Sequence, residues 1–468
     1  MANFLLIDGF DHYTTADIGK KWTAANIGSI SAGTGRNGTA SMRIVGSQNG
    51  PQFSVSNLPT VYVGFAFKLQ NAGATMHMLR LLDGASIQLD MGITPSNFMV
   101  VKRGGATVVS TATTNALSAG AYYFLEARFT LHASAGSCEV RVNGVTVIND
   151  TGLNLITSAN AYMNSVMLMS AAGTGNHDFD DFYLTTDAFL GDCRVVALRP
   201  FAAGSYSQWT PSDVYLPTVG TGARPGITIT DGGTVNAVTA ICDGDVSTGN
   251  IWGVAGVTSS RTLRFDLGTG YVVGTIVIWF QSTGSQGVWQ WQGSNDATAW
   301  TNLGISFTMA ATNPQVLPLS NSTSYRYYRI IGVSGSTASG PTLNEVEFLG
   351  PGAAGYQCVD DPLTINGDID YVSSAVAGQR NSYDFAPVGF TGNVKAVQQI
   401  TTLRKDDAGS RTAQQFARVS GADYDGTNIT VLDSYAMQRR IMTVNPATGA
   451  GWNTSDIDSA EFGTKIVS

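Results

Sequence analysis

Charge is scarce in this chain of 468 residues, where Asp, Glu, Lys and Arg together make up 13%. Hydrophobic residues reach 43%, so the disorder that goes with high charge and few aromatics is excluded. Basic residues are fewer than acidic ones, 26 against 34, for a net charge of −8 with no Lys/Arg stripe. Nucleic acid is thereby excluded as a partner. Only four cysteines occur, Cys138, Cys193, Cys242 and Cys358, with no CxxC pair. They read as buried thiols of a protein made in a reducing compartment, not as a disulfide framework. The four histidines, His12, His77, His132 and His177, sit in different segments with no HxxxH spacing, which argues against a zinc enzyme. No apolar run approaches the roughly 20 residues of a membrane-spanning helix, so no membrane insertion is expected. The opening run Phe4-Leu5-Leu6-Ile7 stops at Asp8, too short for an export leader. GxSxG elbows, P-loops and fixed-period repeats are also missing.

What remains is glycine, 54 residues of it, with many Thr, Ser, Ala and Asn. Such a chain suits short strands joined by tight turns, since β-branched and aromatic residues fill pleated surfaces while Gly and Asn make the turns. In Ser137–Ile148, Cys138, Val140 and Val142 alternate with Glu139 and Arg141, the pattern of a strand wet on one face. Asn143-Gly144 then predicts a two-residue hairpin turn. Tyr122–Leu131 is a second strand, Val61–Phe67 and Ser165–Met169 are strands apolar on both faces, and Asp178–Leu184 closes the region. Near the end a short helix is expected, capped by Thr454 or Ser455, with Ile457 and Phe462 inward and Gly463 at its close.

The series YYFLEARFTL, VRVNGVTV and DFDDFYL resembles the concanavalin A/laminin G-like jelly roll, and the opening FLLIDGFDHY resembles such modules in tailed-phage virion and tail proteins. The segments GDCRVVALRP…SQWTPS (191–212) and KAVQQITTLRKDDAGSRT (395–412) resemble a second module of those proteins, here split by about 145 residues. Gly/Pro-rich seams at 217–226 and 350–355 mark the joints. Between them, DGDVST (243–248), Trp252, LRFDLG (263–268), GSND…WTNL (293–303), YRYYRI (325–330) and LNEVEF (343–348) follow in the order of the discoidin (coagulation factor 5/8 type C) fold shared with many carbohydrate-binding modules. The expected fold is therefore all-β, with three β-sandwich (jelly-roll type) modules, one inserted within another. The first module covers 1–190, a split one covers 191–215 plus 356–468, and the inserted discoidin-like one covers 226–350. Trp279, Trp291, Tyr327 and Ile330 are expected in the core of the last.

The discoidin resemblance implies one structural Ca²⁺ held by Asp243, Asp245, Thr248 and Glu345 with backbone carbonyls, hard oxygens of the kind Ca²⁺ takes. The alternative is an Asp-Gly turn whose carboxylates cap backbone N–H groups. A sugar site needs an aromatic platform beside polar groups, and Trp252 and Trp289, the latter ending the loop 281–289, are its candidates. Each has a competing place in the core. His177-Asp178-Phe179-Asp180-Asp181 invites a glycosidase or metal reading, but fits a closing strand whose Asp180 and Asp181 pair with a loop. No catalytic residue is assigned and no enzyme is expected. The resemblances imply a structural, tail-associated protein of a phage virion, assembled in the host cytoplasm as a homo-oligomer (a trimer or higher) with other virion proteins. Its inserted module would bind host-surface polysaccharide. Alternatives are a head-decoration or collar protein, and a polysaccharide depolymerase with an accessory binding module.

Overall fold

A computed structural model describes residues 3–26, 28–46, 48–70, 75–171, 176–216, 227–231, 241–243, 250–251, 257–281, 286–309, 314–337, 342–351, 355–359 and 371–468. The chain is all-β and built from sandwich-like sheets, as composition and strand spacing predict. Among the described residues no helix is long and apolar enough to cross a membrane. The chain divides into two compact units, residues 1–198 with 384–468, and residues 199–383.

In the first unit one sheet runs Val145–Leu153, Gly136–Val142, Tyr122–Thr130, Thr60–Leu69, Asn176–Thr185, Ser41–Val45, Ser29–Ser31, with Phe4–Asp8 added to Asn176–Thr185. The other runs Gln48–Leu58, Met163–Ala171, Met76–Asp83, Ser86–Ile93, Met99–Arg103, Thr107–Thr111. Period-two alternation aims Val61, Val63, Phe65, Phe67 and Leu69 inward, where they are fully buried. Phe65 meets Phe179 and Phe182, and Phe182 meets Trp22, so an aromatic cluster forms the centre. The opposite face of Thr60–Leu69 is covered too. Ala66 packs with Phe124 and Tyr183, as the two-sided apolar pattern predicts. Asn143 and Gly144 both take positive φ, 49° and 79°, and close the expected hairpin.

The C-terminal part of this unit pairs Arg411–Val419 with Ala422–Val431 and Glu461–Ile466, and separately Val397–Leu403 with Ala436–Met442. Ala417, Met442, Trp452, Ile457 and Phe462 form its core. The short helix is Thr454–Asp458, but its cap is Asn453, whose side chain accepts from the N–H of Asp456. Phe462 and Gly463 belong to the following strand, because Ser459 already ends the helix.

The second unit holds a five-stranded sheet ordered Thr228–Asp231, Thr262–Tyr271, Tyr325–Ser334, Val288–Ser294, Thr301–Thr308. A second sheet is ordered Asp213–Leu216, Thr342–Pro351, Thr275–Gln281, Gln315–Pro318, with Asn250–Ile251 beside Thr342–Pro351. Leu263, Phe265, Trp291, Tyr328, Ile330 and Phe348 fill the space between the sheets. Trp291 and Ile330 are core residues as expected. Tyr327 and Trp279 are only half-buried. Tyr328, one residue along, turns inward instead, and Ile276, Ile278 and Phe280 are the inward set of their strand, which leaves Trp279 on the other face.

Candidate functional site

Of the expected calcium ligands, Asp243 and Glu345 are described; Asp245 and Thr248 lie outside the described residues, as does Trp252. The N–H of Val346 donates to the carbonyl of Ile241 (2.8 Å), and the Cys242 thiol donates to the carbonyl of Val346 (3.1 Å). These bonds run the segment carrying Asp243 alongside the one carrying Glu345, which is 1% exposed. Two carboxylates on adjacent segments, one of them buried, are donors that suit Ca²⁺. Among the described residues no group of three or more His, Cys, Asp or Glu is placed to hold a metal.

Trp289 does not form a sugar platform. Its ring is 1% exposed, and its indole N–H donates to the carbonyl of Gln286 at 2.8 Å. It belongs to the same core as Trp291, so it offers solvent no ring face on which a sugar could stack.

The outer face of the five-stranded sheet is chemically richer. Leu263, Phe265 and Leu267 point inward, so Thr262, Arg264 and Asp266 point outward. Cross-strand pairing sets Arg264 opposite Arg329, Arg329 opposite Gln292, and Gln292 opposite Asn302. The Arg329 guanidinium lies 4.1 Å from the centre of the Trp300 ring, and its Nε donates to Gln292 Oε1 (2.7 Å). Gln292 also donates to Asn302 Oδ1 (2.6 Å). One row further, Arg326 stacks over Tyr327 and makes a two-pronged ion pair with Asp266 (2.8 and 2.9 Å). That pairing holds the Asp266 carboxyl below its ordinary range. Sequence reading missed this face. Its signal is present in the alternation of Leu263, Phe265 and Leu267, which leaves Arg264 outward, but the neighbours of Arg264 come from strands distant in sequence.

The first unit carries two further polar clusters. Asp180 accepts from the backbone N–H of Arg36 (2.7 Å) and the Thr39 hydroxyl, while Asp181 accepts from the N–H of Val195 (2.7 Å). The two carboxylates thus hold loops, the role expected for them. Burial, reinforced by Asp181, pushes Asp180 up to about 8, and burial pushes Asp181 up to about 6. The second cluster stands on the six-stranded sheet. Asp90, 1% exposed, meets His77 Nδ1 at 2.5 Å and takes both prongs of Arg80 at 2.7 Å. Burial alone would raise the Asp90 pKa, but Arg80 and His77 bring it below the ordinary value. A histidine oriented by a buried carboxylate can exchange a proton through its other ring nitrogen.

No family model matches the chain, and no curated protein matches it in sequence. Solved structures similar to it include an endo-β-1,4-glucuronan lyase from Trichoderma reesei, 12% identical, covering 40% of this chain and 96% of that one at a TM-score of 0.32. The alginate lyase Aly36B is 9% identical, covering 42% of this chain and 100% of that one at a TM-score of 0.28. A family 32 carbohydrate-binding module of NanJ from C. perfringens, in complex with galactose, is 13% identical, covering 30% of this chain and 100% of that one at a TM-score of 0.24. These structures include discoidin-like binding modules and polysaccharide lyases. The expectation that the chain is not an enzyme is corrected by that finding, since lyases stand beside binding modules among the similar structures.

Proposed function

We propose that this chain is a polysaccharide-directed protein whose unit 199–383 is the glycan-binding part. The observation that carries the reading is the outer sheet face of that unit, where Trp300 and Tyr327 stand among the planar polar groups of Gln292, Asn302 and Arg329. Aromatic faces beside fixed amides and guanidinium groups are what an oligosaccharide needs for stacking and hydrogen bonding. Trp300→Ala should abolish retention of the full chain on gels containing host-surface polysaccharide. Unchanged retention would remove this face from the reading. A calcium ion held by Asp243, Asp245, Thr248 and Glu345 would brace the same unit, leaving the sheet face to the sugar.

The resemblance of the opening FLLIDGFDHY and of 395–412 to phage proteins supports a tail-associated place on a virion, as an oligomer with other virion proteins, after assembly in the host cytoplasm. A depolymerase is the second reading, favoured by the Asp90-oriented His77 beside Arg80. Release of reducing ends from the bound polysaccharide, lost in His77→Gln while binding persists, would support it. Equal release by the variant would count against His77 as the proton-transfer group.

A further inference from the structure

We infer that the outer face of the five-stranded sheet in unit 199–383 selects carboxylate-bearing polysaccharide, the uronate carboxylate bridging Arg264 and Arg329. The inference rests on the glycan-binding reading and adds the charge of the ligand. Like charges directly opposite on neighbouring strands repel, and Arg264 and Arg329 are such a pair. Burial and the Arg264 charge together hold the Arg329 pKa below its ordinary value. Neither guanidinium has a carboxylate partner within the unit's described residues. Arg329 is instead fixed by a neutral amide at Nε and by the Trp300 ring beneath it, so among the described residues its two terminal nitrogens are left for a ligand.

The acidic groups nearby are hydrogen-bonded elsewhere, although the Arg264 charge also acts on Asp266. Asp266 takes both prongs of Arg326. Asp296, at the sheet edge, is turned into its own loop, accepting from the N–H groups of Thr298 and Ala299 and from the Ser294 hydroxyl. A positive, aromatic-backed face therefore sits on a chain whose net charge is −8. A planar carboxylate matches the guanidinium fork, and its arrival would relieve the repulsion between the two arginines. The row from Arg264 through Arg329 and Gln292 to Asn302 crosses four strands, roughly 14 Å at the usual strand spacing. That reach suits a polymer segment more than a single ring.

The test uses the full chain and three probes: polygalacturonate, its fully methyl-esterified form, and neutral dextran. Wild type should bind polygalacturonate best, and added salt should weaken that binding. Arg264→Gln with Arg329→Gln should lower affinity for polygalacturonate by about tenfold or more, the loss expected for hydrogen bonds to a charged group. Arg264→Gln alone serves as a second variant: among the described residues Arg264 makes no side-chain hydrogen bond, so the variant should keep its fold and the Trp300 stack, lose affinity for polygalacturonate and bind the ester as wild type does. Equal binding of acid and ester, or an unchanged affinity in a folded variant, would overturn the charge selection while leaving glycan binding intact. Absence of binding to all three probes, and to host-surface polysaccharide, would overturn the glycan-binding reading as well.

Discussion

Lys21 Nζ stands 2.9 Å from Asp8 Oδ1, and neither side chain has any exposure to solvent. Asp8 also accepts from the Tyr13 hydroxyl (2.7 Å), the Trp22 indole (2.8 Å) and the N–H of Phe10 (2.9 Å). Burial lowers the Lys21 pKa to about 8, with the Asp8 charge opposing that fall. Asp8 lies in the opening run Phe4–Asp8 of the chain. That run thus ends on a buried acid that orders the helical turn at Ile18–Lys21 and the core aromatic Trp22.

Removing one partner leaves an uncompensated buried charge, so Lys21→Met should destabilise the first unit by about 3–5 kcal/mol. Chemical denaturation followed through tryptophan fluorescence reports it, since Trp22 touches Asp8. A loss below about 1 kcal/mol would show that the pair does not hold this region together.

Asp180, Asp181 and Asp11 all have folded-state pKa values raised mainly by burial, to about 8, about 6 and about 6. A carboxyl with a raised value holds a proton in the folded state that the unfolded chain has already released. Its contribution is complete below the unfolded value near 4 and is lost as pH rises through the folded value. Thermal stability should therefore fall between pH 5 and 8. Asp180→Asn keeps an acceptor for Arg36 and Thr39 and should flatten the upper part of that slope. The same slope in the variant would assign the pH dependence elsewhere.

Calcium should raise the melting temperature of unit 199–383, and a chelator should reverse it. Binding to the folded state alone stabilises by about 2.7 kcal/mol at a hundredfold excess over the dissociation constant. Asp243→Ala should erase the difference between the two conditions. Identical melting curves for wild type with and without chelator would remove the metal.

Gly64 lies under Tyr183, whose hydroxyl donates to buried Glu126 at 2.5 Å. A Cβ at Gly64 would meet the Tyr183 ring at 2.2 Å. Gly64→Ala should therefore destabilise the first unit by about 1–3 kcal/mol, as overpacking does. Gly84→Ala, in open space but at positive φ, serves as a comparison in which backbone strain acts without a clash. Equal melting temperatures for wild type and Gly64→Ala would show that the Tyr183 ring can move aside.

Features that depend on a few neighbouring residues were legible in the sequence. The Asn143-Gly144 turn needed only two residues able to take positive φ, and the inward set Cys138, Val140 and Val142 followed from period-two alternation. The all-β class followed from the same local signals repeated along the chain. Parity was harder. YRYYRI reads as a strand, yet which tyrosine faces in depends on register, and Tyr328 is buried while Tyr327 is not. Trp289 illustrates the same limit, since a loop-end tryptophan has one sequence signature whether it stacks on a sugar or, as here, closes a core. The arginine pair lay further out of reach. Arg264 and Arg329 become neighbours only when strands Thr262–Tyr271 and Tyr325–Ser334 pair, and His77, Arg80 and Asp90 only when Met76–Asp83 pairs with Ser86–Ile93. Residue type and local pattern determined the strands and turns, because those depend on interactions within a few residues. Which charges share a face was decided by tertiary pairing, because register and long-range neighbours are set by burial of the whole sheet and not by any one strand.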